Sequence, residues 1–202
     1  MKNTYEYEER AFLTKEEFFR VKKVLEDKVI STEQDNKVSY FFVLPEQNLS
    51  IAKNEKKCVI KYKHGAVGAG NGFAEYEIPI DAQHCDKTVS MFSLLFGIKP
   101  QTSEQFRINY VLPNGVEIAL KYTQTWGFHL EIEKTYSNEE DKPLAEKEVE
   151  ETAEQLNIRL ITSAEMKTFR DNFDAGGVPK GEYNATQFRE KFGKLFTSFY
   201  EQ

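Results

Sequence analysis

The sequence predicts an α+β fold, an antiparallel sheet or barrel with amphipathic helices against one of its faces. Three observations carry that expectation. Six or more short stretches before residue 136 read as strands separated by turn signals. Asn114-Gly115 falls between two alternating runs, Gln105 to Leu112 and Val116 to Thr123, and Asn-Gly in that setting is the strongest short-range hairpin signal. Beyond residue 140 the apolar residues recur at helical spacing instead.

Composition sets the outer limits. The 202 residues suffice for one large domain or two small ones, with a sizeable core. Charged residues make up 30% and hydrophobic ones 40%, which suits a globular chain and excludes a disordered one. A net charge of −6 argues against a general nucleic-acid binder. There is no apolar run of membrane-spanning length and no signal-peptide core at the N-terminus. Cys58 and Cys85 have neither metal-ligand spacing nor the pattern of a disulfide framework. The expectation is a cytoplasmic protein, monomeric or homodimeric, that engages neither nucleic acid nor membrane.

Taken in order, Glu6 to Arg10 forms a first strand. Thr14-Lys15-Glu16-Glu17 is a capping box that opens a helix with Phe18, Val21, Val24 and Leu25 on one face, ending near Lys28. Val38 to Leu44 is an aromatic and β-branched strand stopped by Pro45, and Leu49 to Lys53 is a third. Lys57 to His64 alternates, with Lys57, Lys61 and Lys63 on one face and Cys58, Ile60 and Tyr62 on the other. The glycine-rich stretch 65–72 lacks the Gly-Lys-Ser/Thr ending of a phosphate-binding loop and reads as a long hairpin connection.

Ala74 to Ile80 is the next strand, followed by a short helix from Val89 to Phe96 that Gly97 stops. The hairpin comes next, and Trp126-Gly127 then leads into a second acidic strand, Glu131-Ile132-Glu133. Pro143 opens a helix with Ala145, Val149, Ala153 and Leu156 on one face. Thr162-Ser163-Ala164-Glu165 is a second capping box before Met166 and Phe169. Gly176 to Pro179 breaks the chain, and a last helix from Thr186 to Tyr200 aligns Phe188, Phe192, Leu195, Phe196 and Phe199. That stripe is core packing or a face for a partner, the latter making the chain a scaffold.

Several strands place charge on one face and apolar groups on the other: Glu6, Glu8 and Arg10; Lys61 and Lys63; Glu75 and Glu77; Gln105 and Arg107; Glu131 and Glu133. Either that polar face meets water, or the sheet closes into a tube whose charged lumen holds a cation and an anionic ligand. His129 shares parity with Glu131 and Glu133, although His64, His84 and His129 all fit exposed or hydrogen-bonded imidazoles.

At these residues the chain resembles the CYTH superfamily, or triphosphate tunnel metalloenzymes, which includes class IV adenylate cyclases, thiamine triphosphatases and inorganic triphosphatases. Glu6-Tyr7-Glu8-Glu9-Arg10 is similar to the family's N-terminal Glu-x-Glu-x-Lys strand, with Arg for Lys. Glu131-Ile132-Glu133 after Trp126-Gly127 resembles its later Glu-x-Glu pair. Lys63-His64-Gly65, Glu75-Tyr76-Glu77 and Gln105-Phe106-Arg107-Ile108-Asn109-Tyr110 echo three further strands, the last without its first basic residue. The resemblance runs in order through residues 4 to 170.

It implies an eight-stranded antiparallel barrel around a tunnel, flanked by helices. Residues 1–173 would form that domain, and residues 174–202 a Gly/Pro linker and an aromatic helix packed on the barrel. It also implies a metal-dependent hydrolase of inorganic, nucleoside or thiamine triphosphate. Glu6, Glu8, Glu131 and Glu133 would hold Mg²⁺ or Mn²⁺. Arg10, Lys53, Lys61, Lys63 and Arg107 would grip phosphates, Glu75 and Glu77 would orient the basic groups, and Glu6, Glu8 and Arg10 would form the catalytic core. Two departures stand out. Leu49-Ser50-Ile51-Ala52-Lys53 replaces an Arg-rich Leu-Arg-Ile-Arg strand, leaving Lys53 and Lys57 as nearby substitutes, and Lys121 falls where the family tends to place an Asp. These departures keep open a tunnel that binds polyphosphate or nucleotides without turnover, and the resemblance itself admits a cyclase-like activity.

Overall fold

The computed structural model describes residues 5–44, 47–54, 56–64, 73–123, 126–176 and 190. In chain order the elements are β1 (Tyr5–Phe12), α1 (Lys15–Glu26), β2 (Ser31–Gln34), β3 (Lys37–Leu44), β4 (Gln47–Lys53) and β5 (Cys58–His64). β6 (Phe73–Ile80), α2 (Cys85–Phe96), β7 (Gln101–Val111), β8 (Glu117–Thr123), β9 (Gly127–Tyr136), α3 (Lys142–Gln155) and α4 (Ser163–Gly176) follow. Among the described residues no helix is long and apolar enough to cross a membrane.

All strand pairings are antiparallel, and they run β7-β3-β4-β5-β6-β1-β9-β8 and back to β7. The eight strands curl into a barrel that does not fully close. Among the described residues β1 and β6 share Tyr5↔Ala74 and Glu6↔Phe73. β7 is long enough to take both β3 and the short β2 along one edge while β8 lies on the other.

The outer face of this sheet is apolar, and the helices cover it. Thr14 caps α1 with both bonds of the expected capping box, 3.1 Å from Glu17 N–H to Thr14 Oγ1 and 2.7 Å from Thr14 N–H to Glu17 Oε2. The helix buries Phe18, Val21 and Leu25 against Tyr7 and Ala11 of β1 and the outward residues of β7, β8 and β9, in a core shared with Ala145, Val149 and Ala153 of α3. Each fully buried side chain of this kind contributes about 1.5–3 kcal/mol. A second core under α2 joins Phe42, Ile51, Cys58 and Cys85, flanked by Val89 and Phe92. Past α3, Ile161 N–H donates to Arg10 C=O at 2.8 Å, which ties the following segment to β1.

The structure differs from expectation at several element bounds. β2 reads as linker because its four residues are polar and exposed, and its pairing with β7 is carried by backbone alone. β3 begins one residue earlier, at Lys37, and β7 four residues earlier, at Gln101, because the two strands pair over Lys37↔Gln105 to Phe41↔Gln101. α2 starts at Cys85 because Asp81 caps a preceding 3₁₀ turn and feeds the chain into the helix. Lys57 lies outside β5. The expected helix from Thr186 to Tyr200 falls outside the described residues, apart from Glu190.

Candidate functional site

With the apolar face turned outward, strand parity decides what enters the lumen. Tyr7 and Ala11 sit in the outer core, so Glu6, Glu8 and Arg10 face inward. The β1–β9 register sets Glu8 opposite Glu133 and Arg10 opposite Glu131, which makes neighbours of two acidic stretches over 120 residues apart. One carboxylate oxygen each from Glu6, Glu8 and Glu133 lies within 4.8 Å of the others. Glu6 and Glu8 are buried and Glu133 half-buried. An all-oxygen donor set of this kind suits a hard divalent ion such as Mg²⁺ or Mn²⁺, which would offset the like charges.

Glu131 has a different environment. Arg10 Nε donates to its Oε1 at 3.0 Å, and the Lys121 ammonium binds its other oxygen. Burial raises the Glu131 pKa, but Lys121, Arg10 and Arg107 outweigh it and hold the carboxyl well below its usual range. Arg10 also pairs with Glu8. Burial opposes the Arg10 charge, and Glu8 and Glu131 more than restore it. Arg10 therefore bridges the three-carboxylate group and the capped Glu131.

A cationic region faces this acidic one. The register Arg107↔Lys121↔His129 runs across β7, β8 and β9 on the inner face. Burial, then the Arg107 charge, pushes Lys121 down to about 8 despite Glu131 and Glu8. Lys37 enters from β3, with its Nζ 3.3 Å from Asp35 Oδ2. Burial, then Arg107, lowers it to about 7; Asp35 opposes, and Lys121 and Lys61 add to the depression. Lys61 on β5 pairs with Glu77, its cross-strand neighbour on β6.

His129 is buried, and burial followed by Lys121 drives its pKa down to about 3, so the ring is neutral. Its Nδ1 lies 3.0 Å from the Gly127 carbonyl, which fixes the proton there, since a carbonyl only accepts. The ring packs on Trp126 at 5.4 Å between centroids. Phe169 of α4 meets Phe12 and Trp126 at 4.6 and 4.7 Å, forming an aromatic cover at that end of the inner face.

The structure thus brings Glu6, Glu8, Arg10, Arg107, Glu131 and Glu133 onto one inner surface, with Lys61 and Glu77 on the same face of the adjoining wall. It does not bring Lys53 there. Lys53 lies opposite Cys58, whose side chain is in the outer core, and its Nζ pairs with Asp86 of α2 at 3.0 Å. Lys63 and Glu75 are register partners on β5 and β6, and their side chains fall outside the described residues. Sequence reasoning missed Lys37 and Asp35. The parity of Ser39, on the polar face of the same strand, was the available signal, but a strand started at Val38 leaves Lys37 out.

No family model and no curated protein matches the chain. Solved structures do. The PH1012 protein of Pyrococcus horikoshii OT3 is similar over 76% of this chain and 91% of its own, at 25% identity and a TM-score of 0.60. HpAC1 from Hippeastrum, a candidate adenylyl cyclase with a dominant triphosphatase activity, matches 90% of this chain and 100% of its own at 17% identity and TM-score 0.60. A candidate adenylate cyclase from Vibrio parahaemolyticus matches 92% and 98% at 14% identity and TM-score 0.60. The chain shares their fold, and that shared fold is consistent with the triphosphate tunnel architecture.

Proposed function

We propose that the lumen binds a triphosphate-containing small molecule together with a divalent cation and hydrolyses a phosphoanhydride bond. One observation carries this reading. The carboxylates of Glu6, Glu8 and Glu133 converge within 4.8 Å on an inner surface that also carries the positive charges of Arg10, Arg107, Lys121 and Lys37, with Glu131 tied to Arg10 and Lys121, Asp35 tied to Lys37, and Glu117 beside Glu133. A polyphosphate chelated to a metal ion needs both poles, whereas a plain solvent face needs neither.

Glu6, Glu8 and Glu133 are the residues that would hold the ion, and Glu131, already bound by two cations, acts by positioning Arg10 and Lys121. A bound Mg²⁺ or Mn²⁺ would supply Lewis-acid polarisation of phosphate oxygens. Arg10 offers a planar donor fork to non-bridging oxygens, fixed from behind by Glu8 and Glu131. Arg107 and Lys121 stabilise negative charge that develops on the departing phosphate, in a setting where water screens them little. Lys61, tied to Glu77, lies on the more open wall and neutralises the far end of the ligand.

A second reading, capture without turnover, draws on β4. Its inward residues Ser50 and Ala52 are uncharged, which reduces the grip on the ligand. Cyclisation of ATP is the third alternative; it additionally requires a nucleoside pocket. The separating experiment is phosphate release from tripolyphosphate, ATP and thiamine triphosphate with Mg²⁺ or Mn²⁺. Hydrolysis predicts metal-dependent release; intact substrate with measurable tripolyphosphate binding would favour capture, and cyclic AMP with pyrophosphate would favour cyclisation.

A further inference from the structure

The shortage of charge on β4 raises the question of where the lumen finds its replacement. Lys53 is turned outward onto Asp86, and Lys57 is exposed beyond the end of β5. Lys61 of β5 lies directly opposite Ser50, and Lys37 is a buried cation on the other flanking strand, β3. Its neighbour Ser39 lies directly opposite Ala52, so β3 delivers an ammonium beside the positions that β4 leaves neutral. Lys37 is 9% exposed, an unusual place for an ammonium whose one close carboxylate is 3.3 Å away.

The side chain is also held in place. Asn54 Nδ2 donates to Asp35 Oδ1 at 2.6 Å, which leaves Oδ2 for Lys37. Asp35 N–H donates to the Arg107 carbonyl at 2.9 Å, and Arg107 N–H donates back to Asn36 Oδ1 at 3.2 Å. Arg107 Nε in turn donates to Asn109 Oδ1. Lys37 and Arg107 are therefore set by one bonded unit at the break between β2 and β3. Arg107, Lys121 and Lys61 all repel the Lys37 charge, while Asp35 is its chief attraction. Lys37, Arg107, Lys121 and Lys61 thus come close enough to repel one another although Asp35, Glu131 and Glu77 each partner one of them, and an oligophosphate is an anion that such a group can share.

We propose that Lys37 is a phosphate-binding residue of the lumen, acting with Arg107 and Lys121 on the part of the ligand remote from Glu6, Glu8 and Glu133. This rests on the triphosphate reading above and names the residue that offsets the neutral β4 wall. Lys37 grips one phosphate oxygen as a point charge and Arg107 a second, while Asp35, held by Asn54, orients the ammonium.

The test is metal-free binding of tripolyphosphate by calorimetry to the full chain, at several salt concentrations. Wild type is compared with Lys37→Met, Lys37→Arg and Lys53→Met, each also melted without ligand. Loss of one charge-assisted contact predicts affinity about tenfold lower or more in Lys37→Met, with a shallower salt dependence. Lys37→Arg should stay within about threefold of wild type, and Lys53→Met should match it. The unliganded melting temperature of Lys37→Met should hold or rise, since a buried charge has been removed. If that variant does not fold, Lys37→Gln, which still hydrogen-bonds Asp35, takes its place. Unchanged affinity in the Lys37 variants beside a wild type that binds overturns the role of Lys37 and leaves the triphosphate reading standing. A wild type that binds no tripolyphosphate, either without metal or with Mg²⁺ or Mn²⁺, overturns both.

Discussion

Arg10 of β1 lies directly across from Glu131 of β9, and its Nε donates a 3.0 Å hydrogen bond to Glu131 Oε1 while another nitrogen of the same guanidinium pairs with Glu8. One side chain therefore links two kinds of carboxylate: Glu131, bound by Arg10 and Lys121, and the Glu6, Glu8 and Glu133 group, whose oxygens converge on one another.

Arg10→Met should destabilise the unliganded protein by about 3–5 kcal/mol, because breaking a buried ion pair strands its partner. Urea unfolding measures this. The same variant should gain affinity for Mg²⁺ or Mn²⁺, since the cation competing for Glu8 is gone. Weaker metal binding in Arg10→Met would contradict that division of labour.

Removing the like-charge repulsion directly should have the opposite effect. Glu6→Gln, which keeps the Arg10–Glu8 pair, is expected to melt at or above the wild-type temperature without metal, whereas Glu6→Gln/Glu8→Gln also weakens that pair. Wild type should gain stability on adding Mg²⁺ or Mn²⁺, about 2.7 kcal/mol at a hundredfold excess over Kd, and the double variant should gain almost none. Equal metal-induced shifts in both proteins would place the ion elsewhere.

Lys37 predicts a pH dependence of known sign. Its ordinary value is 10.5, and burial with the Arg107 charge lowers it to about 7 in the folded state, against the pull of Asp35 and with Lys121 and Lys61 adding repulsion. Between those values the unfolded chain binds more protons than the folded one, so stability rises with pH from about 7 towards 10.5 and is lost as pH falls through that window. Lys121, lowered to about 8, adds in the same direction. Stability measured at pH 7 and pH 9 should therefore increase, and Lys37→Met should flatten the slope. A slope that Lys37→Met leaves unaltered would mean that Lys37 titrates normally.

The outer core holds β1 where the site needs it. Phe18 of α1 is fully buried and meets Phe128 of β9 at 5.0 Å between centroids. Phe18→Ala should cost about 3–5 kcal/mol in denaturant unfolding, by lost burial plus the cavity left behind. Where the protein still folds, the Glu6, Glu8 and Glu133 group should bind metal more weakly, because β1 and β9 lose their common support.

The acidic half of this site was legible because strands have a period of two. Glu6, Glu8 and Arg10 had to share a face, and so did Glu131 and Glu133, wherever the register later placed them. Capping boxes at Thr14 and Thr162 were legible for a similar reason, since their hydrogen bonds close within four residues. What sequence could not supply was set by pairing at a distance. β2 exists through its bonds to β7, and Lys37 belongs to a strand that pairing extends by one residue. Lys53 looked like a phosphate ligand by proximity in sequence, yet its parity with Ile51 turns it outward, where Asp86 of a helix 33 residues on is its partner. That Glu131 would be claimed by Arg10 and Lys121, and not grouped with Glu133, follows from the β1–β9 register that sets Arg10 opposite it and from Lys121 reaching across from β8.

The most direct test of the central claim is phosphate release from tripolyphosphate, ATP and thiamine triphosphate with Mg²⁺ or Mn²⁺, comparing wild type with Glu6→Gln/Glu8→Gln. The account predicts metal-dependent release by wild type on at least one of them, lost in the double variant. Release that persists undiminished in Glu6→Gln/Glu8→Gln, or a wild type that neither hydrolyses nor binds any of the three, would contradict it.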